Sequence, residues 1–343
     1  MTVKTNTIWE LINKCENENG LSEIIINNAD SVYIEKDGLF TKVNVKIPNE
    51  DLHAFITEVA KFNRKDFSEN TPCFDGVLSN GMRINMVFPS LTQKKYPAIT
   101  IRRFNRAIQK FDNGVFGLSG KHLEVVEAMV KSKMNLLIVG STGSGKTTFL
   151  NLLLNEVPAD ERVVVIEDTR ELSIKHANSV SLETKATSGS GANLKDLVKN
   201  SLRMRPDRII VGEVRGDECR DLVISMNTGH KGCFCTIHAN SAYEGLTRME
   251  MLFLMAGLDI PLKAIRYQIM KAIDFIIYLE RAPETGERLV KQIIEITNME
   301  GDKILYQEIG RNDGSKFRFS GIVPTRIKEL NPYGIPSTFF TND

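Results

Sequence analysis

No run of apolar residues in this 343-residue chain approaches the roughly 20 that a membrane-spanning helix requires. The amino terminus, Met1-Thr2-Val3-Lys4, lacks the apolar core of a secretory leader. Membrane association is therefore expected to come through protein partners or surface contact. Cysteine is scarce. The five present (Cys15, Cys73, Cys219, Cys233 and Cys235) are odd in number and scattered, which predicts a reduced, cytoplasmic protein. Cys233-Phe234-Cys235 has no second cysteine pair to complete a zinc site, and alternate positions on a buried strand account for it. Neither sign of charge is in excess: 44 basic against 43 acidic residues give a net charge of +1. That balance counts against a broad nucleic-acid footprint. Internal repeats and low-complexity segments are also lacking. What remains, 42% apolar and 25% charged residues, is ordinary globular composition at a length that predicts two domains.

Against that plain background stands Gly140-Ser141-Thr142-Gly143-Ser144-Gly145-Lys146-Thr147, which fits the phosphate-loop pattern G-x-x-x-x-G-K-[ST]. The apolar run Asn135–Val139 before it reads as a buried strand, and Thr148 through Leu154 after it opens a helix. Glycines at such a turn let backbone N–H groups close around a polyphosphate, and the helix N-terminus favours the negative charge. Lys146 can reach the β- and γ-phosphates, while the Thr147 hydroxyl suits Mg²⁺. The expected ligand is a nucleoside triphosphate, ATP with Mg²⁺.

The pattern divides the chain into a small α/β domain over 1–106, a polar linker over 107–118 and an α/β nucleotide-binding domain over 119–343. In the first, Ser31–Lys36 and Phe40–Ile47 flank a hairpin turn at Asp37-Gly38. Leu52, Phe55, Ile56 and Val59 predict a helix near 50–64, a second hairpin turns at Asn80-Gly81, and Ile99–Phe104 reads as a strand. In the second, apolar runs at Arg162–Ile166, Arg208–Glu213 and Gly232–Ile237 alternate with helices near 120–133 and 193–203. Helices follow over 242–273, and the tail from 275 alternates like strands. Strands that alternate with helices and close on polar residues predict a parallel sheet with chemistry at its C-terminal edge.

Hydrolysis of the bound nucleotide needs a metal anchor, a group that orients water, and cations for developing charge. Glu213, ending a strand in Val211-Gly212-Glu213-Val214-Arg215, is placed to hold Mg²⁺ or its water. Glu167-Asp168-Thr169-Arg170-Glu171 offers three carboxylates, with Glu171 the favoured base and Glu167 or Asp168 the alternatives. His230 and His238 flank one strand and are read together as a nucleotide-state sensor.

Taken in order, Gly140–Thr148, Ile166–Leu172, Leu202–Gly216 and Thr228–Ala242 resemble the phosphate loop, Asp box, Walker B motif and His box of the type II/type IV secretion ATPase superfamily. The run Arg-Met-Arg-Pro-Asp-Arg-Ile-Ile-Val-Gly-Glu-Val-Arg-Gly and the run Thr-Ile-His-Ala-Asn-Ser resemble most the branch of CpaF-type pilus-assembly and type IV secretion motors, as do Ile26–Glu35 and Ile99–Phe104. This resemblance implies a RecA-like ATPase domain behind a smaller PAS-like domain, assembled as a homo-hexamer with ATP between the domains. It implies that N-terminal arginines complete the site, with Arg102 and Arg103 the best match and Arg83 a third candidate. Arg215, inside the Walker B run, joins the nucleotide-binding set. The implied setting is the cytoplasmic face of the inner membrane, against platform or channel proteins of a pilus or secretion machine. The zinc module of the secretin-type branch is not matched, and the extra N-terminal helical region of CpaF-type chains finds little room.

Two further functions are open to such a chain. A RecA-like nucleic-acid translocase is disfavoured by the neutral charge and by the lack of a basic–aromatic stripe. An assembly platform with little turnover is disfavoured by Lys146, Glu171 and Glu213 together.

Overall fold

The computed structural model describes residues 6–18, 20–36, 39–103, 110–184, 191–257 and 259–341. The Asp37-Gly38 turn, Phe104 and positions 107–109 of the expected linker lie outside the described residues. The chain divides into two compact units, Met1–Ala107 and Ile108–Asp343.

The strands of the first unit are β1 (Leu21–Asn28), β2 (Ser31–Lys36), β3 (Leu39–Val43), β4 (Cys73–Val77), β5 (Arg83–Val87) and β6 (Ala98–Arg102). They pair antiparallel in the order β3-β2-β1-β6-β5-β4. Helices α1 (Thr7–Asn17) and α2 (Asn49–Asn63) cover one face. The side chain of Asn6 caps α1 by accepting from the Ile8 amide at 2.9 Å, and Asp51 of α2 accepts from the Thr7 amide and hydroxyl at 2.8 and 2.6 Å. Alternation sorts the sheet. Ile24, Ile26, Ile84, Met86, Ile99 and Ile101 turn to the helices and are buried with Ile8, Ile12, Leu52 and Phe55.

The second unit carries α3 (Lys121–Lys131), β7 (Leu136–Gly140), α4 (Lys146–Asn155), β8 (Val163–Glu167), β9 (Ser179–Glu183), α5 (Leu194–Ser201) and β10 (Arg208–Val211). Then come α6 (Glu218–Asn227), β11 (Phe234–His238), α7 (Ala242–Leu254), α8 (Leu262–Ala272), β12 (Phe275–Arg281), β13 (Arg288–Glu300), β14 (Lys303–Asn312), β15 (Phe317–Phe319), α9 (Ile327–Leu330) and α10 (Thr338–Thr341). The sheet order is β15-β14-β13-β12-β7-β11-β10-β8-β9. From β12 to β9 all neighbours are parallel, and β13, β14 and β15 extend the sheet antiparallel. The central strands do not alternate between buried and exposed positions. Instead β7, β8 and β10 are buried at every residue, because helices cover both faces.

The described part of the expected polar linker, 110–118, carries Phe116 and Leu118, both buried in the second unit's core, with Phe111 and Val115 packed against them. Phe116 meets Phe149 of α4 edge to face at 5.1 Å between ring centroids. Its aromatic residues, and not its polar ones, decide where it lies. Cys233 and Cys235 are fully buried around β11. Burial pushes the Cys233 thiol up to about 12 and that of Cys235 higher, so both act as packing residues.

Candidate active site

The site forms where the parallel strands end. Gly140 closes β7 with His238 of β11 and Leu279 of β12 as its register partners on either side. Ile166, next to Glu167 at the end of β8, pairs with Val211 of β10 two residues before Glu213. A single sheet edge thus carries the phosphate loop, the Asp box, Glu213 and His238. An open parallel sheet offers ligands this crevice beyond its strand ends.

Close packing dictates the loop's glycines. A Cβ on Gly140 would collide with the Ser144 side chain and approach the Leu279 carbonyl oxygen to 2.8 Å. Gly145 has φ +93° and lies against Phe116 and the stem of Arg288, so it needs both the left-handed conformation and a missing side chain. Ser144 is buried and its hydroxyl donates to the Ser141 carbonyl at 2.8 Å, while Thr142 is exposed. Lys146 Nζ donates to the Gly140 and Ser141 carbonyls at 2.8 and 3.0 Å. These bonds curl the lysine over the loop at the N-terminus of α4, whose first turn also holds Thr147 and Thr148.

Thr147 Oγ1 donates to Glu171 Oε2 at 3.1 Å. The carboxylate favoured as base therefore reaches the hydroxyl expected to serve the metal. Glu167 is turned inward. Its Oε1 accepts from the Glu171 and Leu172 amides at 2.8 and 2.9 Å, while Oε2 is buried with no hydrogen-bond partner. Burial pushes its carboxyl up to about 7 despite those two amides. Asp168 points to the surface and accepts from the Thr184 hydroxyl at 2.7 Å.

Glu213 pairs with Arg215 through its Oε2, and Arg215 in turn lies 3.9 Å from the Asp168 carboxylate. Arg215 thereby bridges the Walker B turn to the Asp box. Glu218, buried at the start of α6, accepts from the Arg215 and Gly216 amides at 2.6 and 2.9 Å and fixes that turn.

His230 and His238 stand at the two ends of β11, separated by roughly 13 Å of extended chain. His238 is exposed at the phosphate-loop edge. His230 precedes β11 on the opposite edge, its Nδ1 3.3 Å from the Ser225 carbonyl oxygen. Flanking one strand places two residues at its two ends. Arg102 and Arg103 diverge for a related reason, since successive residues of an extended chain face opposite ways. Arg103 donates to the Cys15 and Glu18 carbonyls at 2.9 and 2.8 Å, tying the end of α1 to the sheet. Arg102 is exposed, pairs with Glu23 at 3.3 Å, and has Arg83 of β5 as its direct cross-strand partner. Arg83, not Arg103, shares its face.

Sequence patterns give no sign of a pair of arginines that the fold sets beside the loop. Arg281 and Arg288 sit opposite each other where β12 and β13 meet. Arg288 Nε donates to the Gly143 carbonyl at 3.2 Å, and Arg281 Nη1 lies 3.8 Å from where a Gly143 Cβ would stand. They belong to no motif of the loop, and only the parallel pairing of β12 with β7 brings them there.

The family model for Type II/IV secretion system proteins matches residues 5–331. The chain belongs to this family. Conjugal transfer protein TrbB of Rhizobium radiobacter is 32% identical over 280 residues, covering 80% of this chain and 83% of that protein. Type IV secretion system protein VirB11 of Bartonella henselae is 29% identical over 326 residues, covering 82% and 92%. The X-ray structure of the Legionella pneumophila ATPase DotB aligns with a TM-score of 0.61 at 20% identity, covering 92% of this chain and 84% of that one, a likeness of fold. As a member of the Type II/IV secretion system protein family, the chain pairs a phosphate-loop domain of RecA-like fold with a smaller α/β domain that precedes it in sequence.

Proposed function

We propose that this chain is a hexameric motor whose ATP hydrolysis moves its two domains against each other at the cytoplasmic face of the cell membrane, driving platform or channel proteins of a pilus or secretion machine. The observation that carries the chemistry is the bond from Thr147 to Glu171 at the mouth of the phosphate loop, beside Lys146. In this reading Gly140 to Thr148 cradle the phosphates, and Lys146 leaves the Gly140 and Ser141 carbonyls for the β- and γ-phosphates when nucleotide binds. Glu171 accepts the proton of the attacking water. Thr147 and Glu213 would hold Mg²⁺, which supplies charge neutralisation on the phosphates. Two oxygen ligands fit that ion, since Mg²⁺ takes few from protein and shares the rest with phosphate and water. His238 reports nucleotide state from the same edge. Arg215, held by Glu213, is available to nucleotide when Glu213 turns to the metal.

We take residues 1–106 and 119–343 as the two domains joined through 107–118, with Arg102 and its neighbour Arg83 as the cations that complete a site between domains. Attachment to the membrane is peripheral in this reading, through the partner proteins. Among the described residues no helix is long and apolar enough to cross a membrane. Turnover measured across protein concentration tests the composite site: specific activity should rise as rings assemble and fall to background in Lys146→Ala. Flat specific activity from dilute to assembled protein would refute the composite site, and near-normal turnover in Lys146→Ala would refute the loop assignment.

A further inference from the structure

We propose that Arg281 and Arg288 are part of the nucleotide site, setting the phosphate loop's shape and adding fixed positive charge beside the phosphates. The inference rests on the ATPase reading above and assigns to it a C-terminal element that no motif of the loop contains.

A phosphate cradle works when its amides point inward, so its carbonyls must be held outward. Two carbonyls of this loop, those of Gly140 and Ser141, are held by Lys146, the residue that must leave them when nucleotide arrives. The Gly143 carbonyl is held from outside the loop by Arg288 Nε. The stem of Arg288 is also seated: a Cβ on Gly145 would come within 2.9 Å of both its Cδ and the Phe116 ring. Arg288 thus braces the middle of the loop from the sheet, and that brace persists when Lys146 swings away.

Arg281 stands on the same face as Arg288, for the two are direct cross-strand partners. Its Nε donates to the Gly286 carbonyl at 3.0 Å across the hairpin turn, which fixes the guanidinium toward Gly143. AMP lacks the β-phosphate that the loop amides enclose, so a brace on the middle of the loop acts on ADP far more than on AMP. The register that places both arginines here is the pairing of Leu279 with Gly140, which anchors the end of β12 to the loop itself.

Binding of ADP and AMP to the full chain, followed by calorimetry, tests this together with KM and kcat for ATP. Arg288→Ala should weaken ADP by roughly 10- to 100-fold, the range for a hydrogen bond from a charged donor. The loss should be much smaller for AMP, and should fall on KM for ATP more than on kcat. Arg288→Lys should recover part of it, since an ammonium still reaches a carbonyl. Arg281→Ala should cost several-fold in ADP affinity at low salt and little at high salt. Wild-type ADP affinity in both alanine variants would overturn the inference while leaving the ATPase reading intact. Equal losses for ADP and AMP would overturn it too, because they would mark general distortion. An ADP affinity that Lys146→Ala leaves unchanged would instead overturn the reading of the loop.

Discussion

Glu167 makes this protein's stability depend on pH in the direction opposite to most carboxylates. Its side chain is buried at 3% exposure, with Oε2 touching no donor, and burial pushes the carboxyl up to about 7. In the unfolded chain the same group titrates at about 4.3. Between those values the folded state binds the extra proton, so its contribution to stability is fully present below about pH 4. It declines as pH rises and is lost once the folded group has titrated through about 7. Two and a half to three pH units at about 1.4 kcal/mol each set an upper limit of about 4 kcal/mol on this one group's contribution. Substitution by glutamine isolates it. Glu167→Gln keeps an acceptor for the Glu171 and Leu172 amides and removes the charge. Urea melts at pH 5 should place wild type and variant within about 1 kcal/mol of each other, and at pH 8 the variant should be the more stable by about 2–4 kcal/mol. Parallel pH profiles for the two proteins would refute the argument, because they would place the Glu167 titration at the same pH in both states.

Glu171→Gln should keep ADP affinity and lose roughly 10²–10⁴ in turnover, as removal of a general base does. Normal turnover would pass that role to Glu167 or Asp168. Arg103→Ala should destabilise the first unit by about 1.5–3 kcal/mol through lost charged hydrogen bonds. Arg102→Ala, which breaks one pair whose arginine is exposed and whose Glu23 is half-buried, should cost about 1 kcal/mol or less, and denaturant melts of the two variants provide the comparison. Glu161→Gln should destabilise by about 3–5 kcal/mol, since fully buried Arg208 donates to both Glu161 oxygens at 2.6 and 3.3 Å. A loss below about 1 kcal/mol in thermal melts, the range of an exposed pair, would show that Arg208 finds other partners.

The second unit's architecture is legible in the sequence because its central strands are continuous apolar runs, two of which end on a polar residue at Ile166-Glu167 and Ile237-His238. Periodicity reports such strands and their helices, and the phosphate loop orders them. It does not report β9, an edge strand whose residues are only partly buried, nor the order in which strands lie side by side. The signal of β1 is blurred for another reason: Leu21–Asn28 carries three consecutive isoleucines and a register shift, so the two-residue period is broken.

The departures at the site share one cause. Nearness in sequence suggests nearness in action, and a strand defeats that inference in two ways. Along its length it separates its ends, which is why His230 falls at the far edge of the sheet from His238. Across its width it turns neighbours apart, which is why Arg103 clamps α1 while Arg102 faces Arg83. The same geometry creates neighbours no motif announces. Arg281 and Arg288 stand far beyond Gly143 in the chain, and the parallel pairing of β12 with β7 delivers them to it. Motifs therefore name the groups that meet the phosphates through the loop's own chain, whereas the charge that surrounds the loop is set by strand order. In a fold whose sheet continues past the phosphate loop on both sides, part of that surrounding charge belongs to strands that come after the last recognisable motif.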